Sequence, residues 1–369
     1  MRELHDSTNM KTSHDNSIAD SQEIINLHND LLLWFAGNKR VLPWRALDAG
    51  AANVYHVWLS EIMLQQTTVT AVIPYFLKFI ALWPRVQDLA GADEQTVMDA
   101  WAGLGYYSRA RNLHKCARVL CDMHGGILPN DEKQLLALPG IGRYTAGAIM
   151  AIGYNQPALV VDGNIERIFA RYNKVTTALP EAKKELNAIA SIYMNVAYNP
   201  EPSFFVQGLM DLGSSICQPK KVQCSICPLS KGCVAQKEDI ALSLPVKIKK
   251  QKPQRCAVSF IVYDEDGGRI MIERRPNGGL LGNMLGFPTT DLNDKSEQLD
   301  AAHGNWIDES VFVEHIFTHF KLKLYVAKVG LEDFNAMAVS DSIKYEWLSV
   351  DALNEVSFPT LYKKVCNII

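Results

Sequence analysis

Three groups of residues in this chain have the types and spacing to do chemistry. Glu61 stands inside Tyr55–Leu64, a stretch that is apolar nearly all round: Val57, Trp58, Leu59, Ile62, Met63 and Leu64 surround it. Burial there lifts a carboxyl pKa toward neutrality, which suits a general acid at physiological pH. A Glu paired with an arginine is the alternative that this residue alone permits. The second group begins at Leu138-Pro139-Gly140-Ile141-Gly142, where two glycines flank one apolar residue just before a helix start. Such a hairpin turns backbone N–H groups toward the positive end of the following helix, a place that suits an anion. Asp162 follows that helix in Val161-Asp162-Gly163-Asn164, a carboxylate in otherwise apolar surroundings. The third group is Cys217-x6-Cys224-x2-Cys227-x5-Cys233. Four thiols in one short loop read as ligands to a single metal centre. Tetrahedral zinc sites usually show two Cys-x2-Cys knuckles, and here only Cys224 and Cys227 form one, so the spacing leans to iron–sulfur with zinc as the alternative.

The elements that must hold these groups are mostly helical. Ile24, Ile25, Leu27, Leu31, Leu32 and Phe35 have an apolar spacing that fits one helix over Ser21–Phe35, and Leu42-Pro43-Trp44-Arg45 ends that helix in a rigid turn. Trp44 and Arg45 could stack on and hydrogen-bond a base, or equally pack and lie on the surface. Gln65 lies one turn beyond Glu61 and shares its face, with Gln66 offset from both. Trp83-Pro84 closes a further helix. Gly103-Leu104-Gly105-Tyr106-Tyr107 then opens a basic run of Arg109, Arg111, His114 and Lys115. Aromatics beside cations can wedge into a base stack, though a helix cap with a solvated face reads the same way.

At 369 residues, two domains are expected. Residues 1–20 mix charged and polar types with no apolar block, the pattern of a disordered tail rather than a targeting peptide. A helical domain over 21–237 includes the cysteine loop 217–233. A basic linker spans 238–255, where Lys247, Lys249, Lys250, Lys252 and Arg255 crowd around Pro245 and Pro253. An α+β domain over 256–369 follows. In it, Ala257–Tyr263 and Arg269–Ile272 flank Asp264-Glu265-Asp266-Gly267-Gly268 as a hairpin, and Phe320, Leu322, Leu324 and Val326 alternate along a half-buried strand. Helices are expected near 296–302 and 360–367. Net charge is −3, so any nucleic-acid surface must be a local patch. No apolar run reaches the roughly 20 residues that span a bilayer. Eight cysteines without a signal peptide point to a reducing, cytoplasmic setting. Cys116, Cys121, Cys256 and Cys366 are scattered and read as packing residues.

With these residues in view, 21–237 resembles the helix–hairpin–helix DNA glycosylase superfamily. Trp58-Leu59-Ser60-Glu61-Ile62-Met63-Leu64-Gln65-Gln66-Thr67 and Gly103-Leu104-Gly105-Tyr106-Tyr107 are similar to the adenine DNA glycosylases of the MutY family, and the likeness runs on through the second domain. It implies a multidomain protein: a mainly α helix–hairpin–helix domain with an iron–sulfur loop, followed by an α+β Nudix-like domain. It implies removal of adenine mispaired with 8-oxoguanine, or with guanine, in double-stranded DNA by a monomer. Glu61 would protonate adenine N7, and Asp162 would stabilise the oxocarbenium-like sugar. Tyr144 would assist near the acids, and Asn164 would orient the carboxylates. Gln66 and Tyr106 would fill or wedge the stack, Gly140 and Gly142 would hold phosphate, and Trp44, Arg45 and Gln207 would line the adenine pocket. Cys217, Cys224, Cys227 and Cys233 would hold a [4Fe–4S] cluster, with Lys220 and Lys221 in the loop near DNA phosphate.

Position 144 separates relatives, because endonuclease III-like enzymes carry there a Lys that forms a Schiff base. Tyr144 cannot form one, so the resemblance implies a monofunctional enzyme. Glu166, where some relatives have Lys, removes a second source of Schiff base. In the second domain, Asp291-Leu292-Asn293-Asp294-Lys295 lacks the magnesium-binding helix of a Nudix hydrolase, so that module should recognise and not hydrolyse. Phe317-Thr318-His319 is similar to the family's Phe-Ser-His loop that reads 8-oxoguanine. Two competing readings are a pyrimidine-damage glycosylase with lyase activity and a non-catalytic cluster-bearing DNA-binding protein.

Overall fold

The computed structural model describes residues 21–45, 52–194, 201–248, 252–276, 280–290 except 283, 308–336 except 309 and 318, and 345–369 except 357. The tail 1–20, the helix expected near 296–302, the segment 291–295 and Thr318 lie outside the described residues. The chain divides into two compact units, Met1–Ile248 and Lys249–Ile369.

The first unit is helical. Its elements are α1 (Ser21–Asn38), α2 (Val54–Leu64), α3 (Val69–Leu82), α4 (Val86–Gly91), α5 (Glu94–Trp101), α6 (Ser108–His124), α7 (Glu132–Leu136) and α8 (Arg143–Ala148). A π-helical turn, Ile149–Gly153, extends α8 before α9 (Gly163–Tyr172), α10 (Lys183–Tyr193), α11 (Pro202–Ser215) and α12 (Val234–Lys237). Short polar side chains start several of them: Asn53 caps α2, Thr68 caps α3, Asp93 caps α5 and Asp131 caps α7. Two apolar cores result. One gathers Trp58, Phe76, Phe79, Trp101, Leu113 and Leu120 from α2 to α6, and the other gathers Leu27, Leu31, Phe169, Tyr193, Phe205 and Leu209 from α1 and α9 to α11.

Helix α2 serves both cores: Trp58 and Leu59 face the first and Val57 the second. This is why its sequence is apolar nearly all round. The stretch from α8 through the π turn does the same, with Ala146 and Ile149 in one core and Ala148, Ala151 and Ile152 in the other. A polar side chain on either element, pointing along the seam, is therefore buried without entering a core. Within the stretch expected as linker, Ala241 and Leu244 are buried with Ala235, and Val222, Cys224, Cys233, Ile240 and Val246 pack around them. No described helix is long and apolar enough to cross a membrane.

The second unit holds two three-stranded sheets, β1 (Gln254–Val262), β5 (Lys321–Val329) and β4 (Phe312–Ile316) in one, and β3 (Leu285–Gly286), β2 (Arg269–Arg274) and β6 (Tyr345–Ser349) in the other. The strands flanking Asp264–Gly268 do not form the expected hairpin. The turn exists, closed by Asp264 accepting from the backbone and Nε of Arg269, but beyond one antiparallel bridge, Tyr263 to Ile270, its two strands part into different sheets. The reason is burial. Cys256 to Val262 are all buried, so β1 needs cover on both faces, and it runs parallel to β5 from Gln254 against Lys321 to Val262 against Val329. The expected half-buried strand is β5, with Leu322, Leu324 and Val326 turned inward, and the helix expected at 360–367 is Thr360–Cys366.

Candidate active site

The site lies on the seam of the first unit, in a cavity of about 790 Å³ lined by residues of both cores. Glu61 reaches it from α2 and is 6% exposed. Tyr144, in the first turn of α8, donates its hydroxyl to Glu61 Oε2 at 2.8 Å across 83 residues of sequence. Burial pushes the Glu61 carboxyl up to about 7; the Tyr144 hydrogen bond and Arg45 work against that, and Asp162 adds to it. Burial, reinforced by Glu61 and Asp162, holds the Tyr144 hydroxyl well above its usual 10, so at neutral pH it remains a donor.

Asp162 lines the same cavity as the N-cap of α9. Its Oδ1 accepts from the backbone N–H groups of Asn164 (2.9 Å) and Ile165 (2.8 Å), and its Oδ2 accepts from Asn164 Nδ2 at 2.8 Å. Asn164 is fixed in turn, because its Oδ1 accepts from Arg167 Nη2 at 2.8 Å. Two glycines make room for this arrangement. A Cβ on Gly147 of α8 would stand 2.3 Å from the Leu159 carbonyl oxygen, so the return segment that delivers Asp162 passes against bare backbone. A Cβ on Gly213 of α11 would stand 2.6 Å from Asn164 Cβ.

The remaining expected residues are distributed as follows. Gly140 takes φ 76° in the hairpin, and Gly142 is the N-cap of α8; both line the cavity. Trp44 and Gln207 line it too, Trp44 edge-on to Phe76 and Gln207 donating to the Ser203 carbonyl and hydroxyl. Arg45 lines it with its guanidinium committed to Asp211, Nη1 at 2.6 Å from Oδ2 and Nη2 at 2.9 Å from Oδ1. Arg40, partly exposed, completes that cluster through its Nε at 2.6 Å from Asp211 Oδ1. Burial works to raise the Asp211 carboxyl, yet the two arginines hold it below its ordinary range. Gln65 and Gln66 both line the cavity, but α2 ends at Leu64, so Gln65 enters as the residue after the helix rather than on its face. Gln66 has φ 60°, and Tyr106, half-exposed on its own loop, has φ 50°. Sequence reasoning missed Asp211 and Arg167. The signals were a carboxylate one turn after Gln207 and an arginine one turn after Asn164.

Two acids and a tyrosine over one cavity can protonate a leaving group and stabilise a cationic centre on it. Comparison with known proteins narrows this. The family model described as HhH-GPD superfamily base excision DNA repair protein matches residues 59–193, and a NUDIX domain model matches 258–367. An adenine DNA glycosylase of Buchnera aphidicola from Acyrthosiphon pisum is 33% identical over 91% of this chain and 95% of its own length. The human adenine DNA glycosylase is 30% identical over 94% of this chain and 74% of its own, and that of Arabidopsis thaliana 32% over 91%. This chain belongs to the adenine DNA glycosylase family. It spans 63% of the Arabidopsis relative's length. A solved structure of a thermostable thymine-DNA glycosylase, 27% identical, matches 59% of this chain and 98% of its own with a TM-score of 0.52. The first unit of this adenine DNA glycosylase family member is thus the helix–hairpin–helix domain, and the second is Nudix-like.

In this family member the cysteine loop follows α11. Among the described residues, no three His, Cys, Asp or Glu side chains form a closed metal-ligand group. The four thiols are nevertheless close enough to act on one another. Burial first, then the charges of Cys217, Cys233 and Cys224, push Cys227 up to about 12, while a backbone N–H of Leu229 works the other way. Arg171 Nη1 approaches Cys217 Sγ at 3.1 Å and also holds the Gln218 carbonyl. Four sulfur donors in one loop, with Cys217, Cys227 and Cys233 packed against the second core, fit a thiolate-held metal group. In the second unit, Phe317 and His319 sit in the tight turn between β4 and β5, closed by the Phe317 N–H on the Phe320 carbonyl. Phe317 packs on the rings of His315 and Phe320, and His319 is exposed.

Proposed function

We propose that this chain excises adenine mispaired with 8-oxoguanine, or with guanine, from duplex DNA and leaves an abasic site. The observation that carries the reading is the Glu61–Tyr144 pair facing the same cavity as Asp162. Adenine leaves poorly as an anion, so the acid must be neutral at working pH, and Glu61 at about 7 meets that demand. Tyr144 occupies Oε2 as a donor, so the carboxyl proton belongs on Oε1, the oxygen that can then pass it to adenine N7. Asp162, fixed on three hydrogen bonds, supplies negative charge to the sugar as the bond breaks, in the way paired acids divide labour in glycoside hydrolysis. Ionised after that transfer, Glu61 takes a proton from the attacking water.

The base must leave the stack to reach this cavity. Gln66 and Tyr106 fill the stack, and the Gly140–Gly142 hairpin holds phosphate. Trp44, Arg45 and Gln207 bound the adenine, with Asp211 keeping Arg45 in place. Tyr144 in place of a lysine makes the enzyme monofunctional. Cys217, Cys224, Cys227 and Cys233 would hold a [4Fe–4S] cluster, whose contribution when bound is to cross-link the loop. Phe317 and His319, with Thr318 between them, read 8-oxoguanine. The chain acts as a cytoplasmic monomer.

The test is single-turnover adenine release from an A:8-oxoguanine duplex beside a thymine glycol duplex. Adenine release with thymine glycol untouched is expected, and prompt cleavage at thymine glycol alone would reverse the assignment. A broad visible absorption that bleaches in acid checks the cluster.

A further inference from the structure

Arg109, in the first turn of α6, is only 9% exposed although it carries a charge. Its Nη1 donates to the carbonyls of Ile62 (2.9 Å), Met63 (2.9 Å) and Gln65 (2.5 Å). Its Nη2 donates to the carbonyls of Leu104 (3.3 Å) and Gly105 (3.2 Å) and to the Thr67 hydroxyl (3.3 Å). The guanidinium also stands 5.3 Å from the Trp101 ring centroid and 5.4 Å from that of Tyr106. The first acceptors are the end of α2, whose last carbonyls have no partner within the helix and whose dipole favours a cation. Thr67 lies just beyond that helix end, and the Leu104 and Gly105 carbonyls belong to the loop Gly103–Tyr106, itself tied by Trp101 Nε1 to the Gly105 carbonyl.

The loop between α2 and α3 and the loop Gly103–Tyr106 each carry an exposed residue with a side chain at positive φ, Gln66 at 60° and Tyr106 at 50°. Such backbone persists only where the surroundings over-determine it, and it concentrates at functional sites. Here the over-determination has one source common to both loops. We propose that Arg109 is a positioning residue for base extrusion, a single guanidinium that locks the loops of Gln66 and Tyr106 into one two-pronged wedge. The inference rests on the glycosylase reading and on the wedge role of those two residues. Lysine cannot replace it, because a point charge on a flexible stem does not span acceptors on two loops with a planar fork. Without the clamp each loop relaxes by itself, and the two side chains no longer enter the stack together.

The test uses the full chain with Arg109→Lys and Arg109→Ala on two duplexes. One carries a paired A:8-oxoguanine. The other carries adenine opposite a tetrahydrofuran abasic analogue, where unpairing is already done. The expected result is a fall of at least about tenfold in single-turnover rate on the paired duplex, with the second duplex within about threefold of wild type, because extrusion is the step that differs. The ratio of the two rates is internal to one preparation, so a lowered folded fraction cancels from it. A 2-aminopurine beside the adenine should also lose its fluorescence rise on binding. Equal loss on both duplexes means a general structural role and overturns the proposal, as does wild-type behaviour of Arg109→Lys on both. Failure of the wild-type protein to release adenine from either duplex overturns the glycosylase reading itself, and this inference with it.

Discussion

Replacing Glu61 with Gln keeps the size and hydrogen-bonding reach of the side chain and removes its proton chemistry. Burial raises the carboxyl from its ordinary 4.5 to about 7. At about 1.4 kcal/mol for each tenfold change, ionising it in the folded protein costs about 3 kcal/mol more than in the unfolded chain. The folded state therefore binds the proton more tightly, and stability falls as pH rises from the ordinary value through about 7. Glu61→Gln is free of that penalty. Its unfolding free energy should gain on wild type by about 2–3 kcal/mol between pH 5 and pH 8, followed in urea by tryptophan fluorescence. Trp58, Trp83 and Trp101 are buried in the first core and report that unit. Single-turnover adenine release should fall about a hundredfold or more, the range of a lost general acid. Wild-type excision should itself decline as pH rises above about 7, because the ionised carboxyl cannot donate. A variant with the same pH dependence of stability as wild type would refute the burial argument, and a merely tenfold rate loss would place the acid elsewhere.

Asp162→Asn should abolish adenine release and leave mispair binding in place, checked by gel shift beside single-turnover kinetics. Full activity would remove Asp162 from the reaction. Gly147→Ala puts a methyl 2.3 Å from the Leu159 carbonyl oxygen, and should cost about 1–3 kcal/mol of stability while displacing the segment that carries Asp162. A melting temperature and excision rate both unchanged would mean that the segment yields freely. His319→Ala, at an exposed turn position of the second unit, should spare adenine excision and blunt the preference for 8-oxoguanine over guanine. An unchanged ratio of the two rates would take the recognition role from that turn.

The features carried by local pattern were legible in the amino-acid chain. The apolar circumference of α2 with one acid in it, the glycine spacing before α8, the carboxylate opening α9 and the four-cysteine loop each lie within a few helical turns, where side-chain type and backbone preference act directly. Family resemblance joined the first three into one site, and added Tyr144 and Asn164. Local pattern gave less on the strands: the turn at Asp264–Gly268 was readable, but the parting of its flanking strands was not, because pairing is decided by which faces find cover.

The tertiary structure alone decided the electrostatics. Glu61 and Tyr144 meet across 83 residues, and Arg45 and Asp211 across 166, because two helical cores close on a common seam. Whether a buried acid there is paired with an arginine or left neutral depends on which distant side chains that closure brings within reach. Arg45 is taken by Asp211, and Glu61 is left with a tyrosine. Spacing along the chain fixes which residues share a helix or a turn. Only packing of the two cores fixes which charges share a cavity.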